Sequence, residues 1–356
     1  MIKMIQELEK KEIKYSFSPY TYARICAMKG LLLKKNDYEK LFKLELSEIT
    51  KFLQEQNYNQ EINELGLKYK GLKLIELSLN KNLTRVLSKL REISDESIKP
   101  LVDLYLKRYD FYNLKTLIRA KNSNMKFEEI EDLLIPLGSL KYNFLKKIYN
   151  KSIKYILLDS KIVNLNDLKD ALNKFENPQE EKKDLSEIEN ILDFYYYNET
   201  IKLVKKISTQ GQLFKEFFEY EIDLYNIKLI LKKIAFNLEN KTIEKYIIRN
   251  LKKLTELELN NLLKTENYET FLNIFKKTFY GKIFALTDFN LLKYETEFEN
   301  FLLKKRNLLL HQNPLSVDTI LGFMFQKETE IKNLKVIVKS KSLQLDQEYY
   351  EKLIVV

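Results

Sequence analysis

The residues with most chemistry to offer come in three near-copies of one nine-residue run. Asp110 to Ile118 reads Asp-Phe-Tyr-Asn-Leu-Lys-Thr-Leu-Ile, Asp223 to Leu231 reads Asp-Leu-Tyr-Asn-Ile-Lys-Leu-Ile-Leu, and Glu330 to Val338 reads Glu-Ile-Lys-Asn-Leu-Lys-Val-Ile-Val. Each carries an acid, an asparagine three residues on and a lysine two further: Asp110, Asn113 and Lys115; Asp223, Asn226 and Lys228; Glu330, Asn333 and Lys335. Such groups accept and donate hydrogen bonds and pair charges. On a helix the acid, the asparagine and the apolar residues at i+4 and i+7 share a face, so polar groups fall on a stripe that should be apolar. Asparagine is a mediocre helix former and a buried amide is costly unless bonded. Each copy is therefore expected to hold a polar lock, which either joins neighbouring helices or faces a partner.

Bond-making chemistry finds little support. His311 is the only histidine and Cys26 the only cysteine, so neither a metal-ligand set nor a nucleophile and base can be assembled from them. Cys26 falls within Tyr22, Ile25, Met28 and Leu32, where it is expected to serve as a small buried hydrophobe. His311, before Asn313-Pro314, is expected at a helix end. Gly66 and Gly71 are spaced like a phosphate loop, but Leu72 stands where its lysine should be and no strand precedes them. Glu180 and Glu181 sit in a polar run, Asn177 to Asp184, with no apolar setting to shift their titration; they read as a solvated loop. No catalytic, cofactor-binding or metal site is expected.

The elements that must position the three runs follow from composition. Seven Gly and five Pro in 356 residues leave few turn formers, and Leu, Ile, Lys, Glu and Asn dominate, so the spacing predicts an all-α protein of long helices. Ser18-Pro19 starts one, with the serine capping and the proline in the first turn. Leu74, Leu77, Leu83, Val86, Leu87 and Leu90 mark a helix over 71–92, Ser94 to Pro100 breaks the chain, and Pro136-Leu137-Gly138 makes a turn. The central asparagines lie 113 and 107 residues apart. With the same offsets Glu131 falls on Glu244 and Glu351, and Leu134 on Ile247 and Ile354. Near-equal spacing over an extended register predicts three related helical units, 1–125, 126–240 and 241–356, packed as one rigid body.

A balance of 61 basic against 51 acidic residues gives a net charge of +10, a charge that suits nucleic acid, anionic lipid or an acidic protein surface. Only seven of the basic residues are arginine (Arg24, Arg85, Arg91, Arg108, Arg119, Arg249, Arg306); the lysines alternate with glutamates at helical spacing, the pattern of a solvated helix face. Pairs such as Lys252-Lys253 and Lys276-Lys277 and the run Lys304-Lys305-Arg306 read as edges of core helices. The single cysteine and the absence of an apolar core after Met1 place the chain in a reducing cytosol, and no apolar stretch is long enough to span a bilayer.

The run from Asn313-Pro314-Leu315-Ser316 through Lys327-Glu328-Thr329-Glu330-Ile331-Lys332-Asn333-Leu334-Lys335 resembles the C subunits of archaeal and bacterial A-type/V-type ATPases, relatives of the eukaryotic d subunit. Tyr22-Ala23-Arg24 through Asp37-Tyr38, Leu104 to Lys121 and Glu221 to Leu231 are similar to the same family, in the right order along the whole chain. The resemblance implies a funnel of three pseudo-threefold-related helical units around a central cavity. It implies a non-catalytic rotor component on the cytoplasmic side of the membrane, peripheral, standing on the proteolipid (c/K) ring and receiving the D and F subunits of the central stalk, with no cofactor, nucleic acid or small-molecule substrate. Where relatives often carry arginine after the asparagine, this chain has Lys115, Lys228 and Lys335, which replaces bidentate pairing with simple charge contacts. Two other classes stand beside this reading: a helical-repeat nucleic-acid binder, motivated by the charge, and a cytosolic all-α enzyme acting on a phosphorylated small molecule, which needs the lysines to converge on one pocket.

Overall fold

The structure is a computed structural model that describes residues 18–176, 184–207, 211–249, 253–308, 316–351 and 353–354. Every regular element among them is helical. Along the chain they are α1 (Pro19–Lys29), α2 (Lys35–Leu41), α3 (Leu46–Glu55), α4 (Asn59–Leu65), α5 (Gly71–Ile93), α6 (Lys99–Asn122), α7 (Phe127–Ile130), α8 (Tyr142–Tyr149), α9 (Ile153–Ser160), α10 (Leu165–Glu176), α11 (Ser186–Val204), α12 (Gln212–Ala235), α13 (Asn240–Glu244), α14 (Glu256–Leu263), α15 (Tyr268–Phe275), α16 (Leu291–Leu308), α17 (Val317–Ser342) and α18 (Gln347–Glu351), with a 3₁₀ turn at Tyr280–Lys282 before α16.

After α1 one order recurs three times. Short helices (α2–α4, α8–α10, α14–α15 with the 3₁₀ turn) lead to a long helix (α5, α11, α16), then to the helix bearing the asparagine (α6, α12, α17), then to a short one (α7, α13, α18). The chain divides into two compact units. The terminal unit holds α1–α9, α17 and α18, and the central unit holds α10–α16. In the terminal unit α17 packs on α5, α1 and α3, so the last long helix is built into the first part of the chain. In the central unit α12 packs on α16 and α11.

Local rules set the ends of these elements. Ser18 caps α1 as expected, its Oγ accepting from Thr21 N at 3.2 Å with Pro19 in the first turn. α5 begins at Gly71, whose φ of +58° is easy only for glycine, and ends at Ile93. Pro100 then sits in the first turn of α6, where its missing N–H has no helical acceptor to lose. The three asparagine helices end alike. Asn124, Asn237 and Gln344 are left-handed, with φ of 54°, 50° and 54°, and the next amide reaches back in each: Met125 N to Ala120 O at 3.0 Å, Leu238 N to Lys233 O at 2.9 Å, Leu345 N to Ser340 O at 2.9 Å. This closing loop satisfies carbonyls that a helix end otherwise leaves free.

One expectation fails. Cys26 is exposed. α1 buries only Thr21 and Ile25, a face one residue wide, and Cys26 lies about 100° round the helix from Ile25. His311, Lys252 and most of the run 177–184 lie outside the described residues, as do Asn313 to Leu315.

Candidate functional site

The nine residues singled out lie on α6, α12 and α17. Asp110, Asn113, Asp223 and Asn226 are fully buried, and Glu330 and Asn333 nearly so. The Asn113 amide pairs with both backbone groups of one residue, donating to Ile135 O at 2.7 Å and accepting from Ile135 N at 2.9 Å. Asn226 does the same to Ile248, at 2.8 and 3.0 Å. Both partners lie 22 residues downstream, past the short helix that follows. A side-chain amide presents one donor and one acceptor side by side, so it completes an irregular stretch of backbone as a neighbouring strand would. Asn333 hydrogen-bonds the Tyr38 side chain in the terminal unit.

The acids grip the start of a helix. Asp110 Oδ1 accepts from Leu140 N at 2.8 Å, and Oδ2 accepts from Ser139 N at 2.8 Å and Ser139 Oγ at 2.7 Å. Gly138 makes this approach possible, because a Cβ there would collide with the Asp110 carboxylate. Asp223 Oδ2 accepts from Leu254 N at 3.2 Å and from the Tyr280 hydroxyl at 2.7 Å. Glu330 Oε2 accepts from Leu33 N at 2.6 Å, while Oε1 accepts from the Tyr58 hydroxyl at 2.5 Å and Lys327 Nζ at 2.6 Å. Leu140, Leu254 and Leu33 each stand one residue before a helix N-cap, those of α8, α14 and α2. The first two copies grip a helix that follows them in the chain, whereas the third grips one of the opening helices.

A lysine grips the other end of the same helix. Lys121 Nζ donates to Tyr149 O at 3.2 Å, at the last residue of α8. Lys233 Nζ donates to Leu263 O at 2.9 Å and Thr265 O at 2.5 Å, at the end of α14. Lys341 Nζ donates to Phe42 O at 2.8 Å, the C-cap of α2. Each short helix thus has a carboxyl group at its amino end and an ammonium at its carboxyl end, the arrangement that complements a helix dipole. These lysines were not among the sequence candidates. They stand eight, seven and eight residues after the asparagines, so the register that aligned Glu131 with Glu244 and Glu351 pairs Lys121 with Lys341 but falls one residue past Lys233, on Ile234.

Lys115, Lys228 and Lys335, the lysines expected to make charge contacts, are half-buried. Burial holds Lys335 down at about 8 against the opposing carboxylates of Glu76 and Asp132. Around the third acid is a denser polar network. Burial lowers the titration of Lys327 although Glu330 opposes it, and the ammonium also lies 4.5 Å from the Tyr58 ring centre. Beside it Glu61, also buried, accepts from Arg85 Nε at 2.5 Å and Asn82 Nδ2 at 3.1 Å.

No group of three or more His, Cys, Asp or Glu able to hold a metal ion occurs among the described residues. A cavity of about 600 Å³ lies against Asp110, lined by Arg91, Asp103, Lys107, Gly138 and Lys141, with Arg91 already paired to Asp103. Every charged group of the clamps is spent on the chain's own backbone or side chains. This arrangement is suited to holding helices in fixed relation.

The class defined by this architecture is an all-helical protein of repeated helix clamps with no helix, among the described residues, long and apolar enough to cross a membrane. The chain belongs to the ATP synthase (C/AC39) subunit family, whose profile it matches over residues 21–353. It is similar to the C subunit of the A-type ATP synthase of Methanococcoides burtonii, 29% identical with the whole of both chains covered. It is also similar to the proteins of that name from Methanosarcina barkeri, 32% identical over 98% of this chain and 95% of the relative, and Methanosarcina acetivorans, 31% over 95% and 92%.

Proposed function

We propose that this chain is a non-catalytic rotor component of an A/V-type rotary ATPase. In this reading it stands peripherally on the cytoplasmic face of the membrane, binds the proteolipid ring on one side and the D and F stalk subunits on the other, and passes torque between them. The observation that carries the reading, given the family, is the double-ended clamp. A part that transmits rotation must not shear, and a helix held by a carboxyl group at one end and an ammonium at the other, with a two-way amide bond beyond it in two of the copies, resists sliding along its axis. The third clamp ties α17 to the chain's first helices within the terminal unit. The three acids and three asparagines, with Lys121, Lys233 and Lys341, are assigned to this internal bracing; Lys115, Lys228 and Lys335 are not.

Co-expression of the chain with the D and F stalk proteins and the ring, followed by gentle extraction at low salt, tests the assignment. The chain is expected to co-purify with both, and to hydrolyse no ATP alone. Recovery only as a free monomer, or tight binding to nucleic acid that weakens steeply with salt, would overturn it.

A further inference from the structure

The three acids occupy one position in the repeat, yet only one of them lacks what an ionised carboxylate needs. Asp110 has donors on both oxygens, and Glu330 has donors on both and a lysine besides. Asp223 is fully buried, both its donors reach Oδ2, and Oδ1 has no partner.

Among the described residues none offers it a compensating charge at contact distance. From its own helix come Glu219, itself 5% exposed, and Tyr220; from the 3₁₀ turn comes Tyr280; from α14 comes Glu258. Two lysines of the central unit are turned to rings: Lys253 Nζ lies over Tyr220 and Phe279, and Lys305 Nζ, from α16, lies over Tyr220 and Phe301. From α11, Asp193 opposes ionisation of Tyr225, two residues on from Asp223 along α12. An isolated carboxylate in such a place is strongly disfavoured, whereas a neutral acid fits, with Oδ1 carrying the proton and Oδ2 accepting both bonds.

We propose that Asp223 is carried as a neutral carboxylic acid in the folded central unit, and that loss of its proton opens the grip on the start of α14. Burial pushes its titration up to about 7, with Glu219 and Glu258 adding to the shift and the two hydrogen bonds opposing it. The clamp of the central unit is therefore sensitive to pH near neutrality, while those built on Asp110 and Glu330, with donors on both oxygens, keep their grip.

Hydrogen exchange of two equivalent amides in the full chain, Leu254 and Leu140, corrected for intrinsic rates, tests this from pH 6 to 9. Protection at Leu254 is expected to be about tenfold lower at pH 8 than at pH 6 and level beyond that, protection at Leu140 unchanged, and Asp223→Asn should abolish the fall. Wild-type infrared difference spectra against that variant should show a protonated buried carboxyl band at pH 6 that fades by pH 8.5. Should Asp223→Asn not fold, Tyr280→Phe serves instead: it removes a donor that favours the ionised form, so the opening should move to higher pH. Protection at Leu254 that does not change with pH, the same change in Asp223→Asn, or no shift in Tyr280→Phe would overturn the proposal.

Discussion

Asp110 and Asp223 hold the same place on α6 and α12, are the same residue type and are equally inaccessible, yet their surroundings ask opposite things of them. Around Asp110 the turn after Gly138 offers two amides and a hydroxyl, all converging on a charge. Around Asp223 one amide and one phenol share a single oxygen, and the remaining neighbours are acids and aromatic rings. Glu330 is a third solution, in which a lysine one turn earlier on the same helix supplies the countercharge. A repeated sequence pattern thus fixes which backbone is gripped but leaves the charge state of the grip to whatever the next copy presents. Duplicated elements diverge most easily where the partner lies on another segment.

The largest effect is expected where the grip is a buried ion pair. Lys327→Met leaves Glu330 buried with no cation and should cost about 3–5 kcal/mol, while the double change Lys327→Met with Glu330→Leu should recover part of that; urea unfolding of the four proteins measures it. A double variant no more stable than the single would show that Glu330 matters through Leu33 and Tyr58.

Next comes the titration of Asp223. A carboxyl that holds its proton to about 7 when folded but to its ordinary value of 3.8 when unfolded stabilises the fold fully below about pH 4. That contribution is lost as pH rises through 7, about 4 kcal/mol in all at 1.36 kcal/mol per pH unit. The stability difference between wild type and Asp223→Asn should therefore change in this sense from pH 4 to 7 and level off above.

Removing the amides comes third and should erase the contrast between the two regions. Asn113→Leu and Asn226→Leu each strand a buried N–H and C=O, of Ile135 or Ile248, and each should cost about 2–4 kcal/mol and lower the melting temperature alike. A much milder Asn226→Leu would mean that the central unit relaxes around the lost pair. The smallest change belongs to the partly exposed lysine caps. Lys121→Ala or Lys341→Ala should cost only about 0.3–1 kcal/mol, visible as slightly faster exchange at the ends of α8 or α2. Lys233→Ala should cost more, because that ammonium is buried on three acceptors.

Much of this was legible before the structure. Asn113, Asn226 and Asn333 announced themselves because an amide on an apolar helical stripe needs a partner, and their spacing revealed the copies. The partners were not legible. Ile135 and Ile248 are bound through main-chain atoms, which leave no trace in residue type. Cys26 was misplaced because an apolar residue beside an apolar stripe looks buried until one knows how narrow the contact is.

The sequence by itself determined that the chain is helical, that one polar pattern recurs on three of its long helices, and to which family it belongs, since these depend on periodicity and composition carried along the chain. Only the tertiary structure decided that α17 completes its clamp with Leu33 and Tyr58, from the opposite end of the chain, and that Asp223 meets no countercharge among the described residues where Glu330 has one. Hydrogen-bond partners and desolvation are properties of the space around a side chain, and that space is furnished by segments remote in sequence.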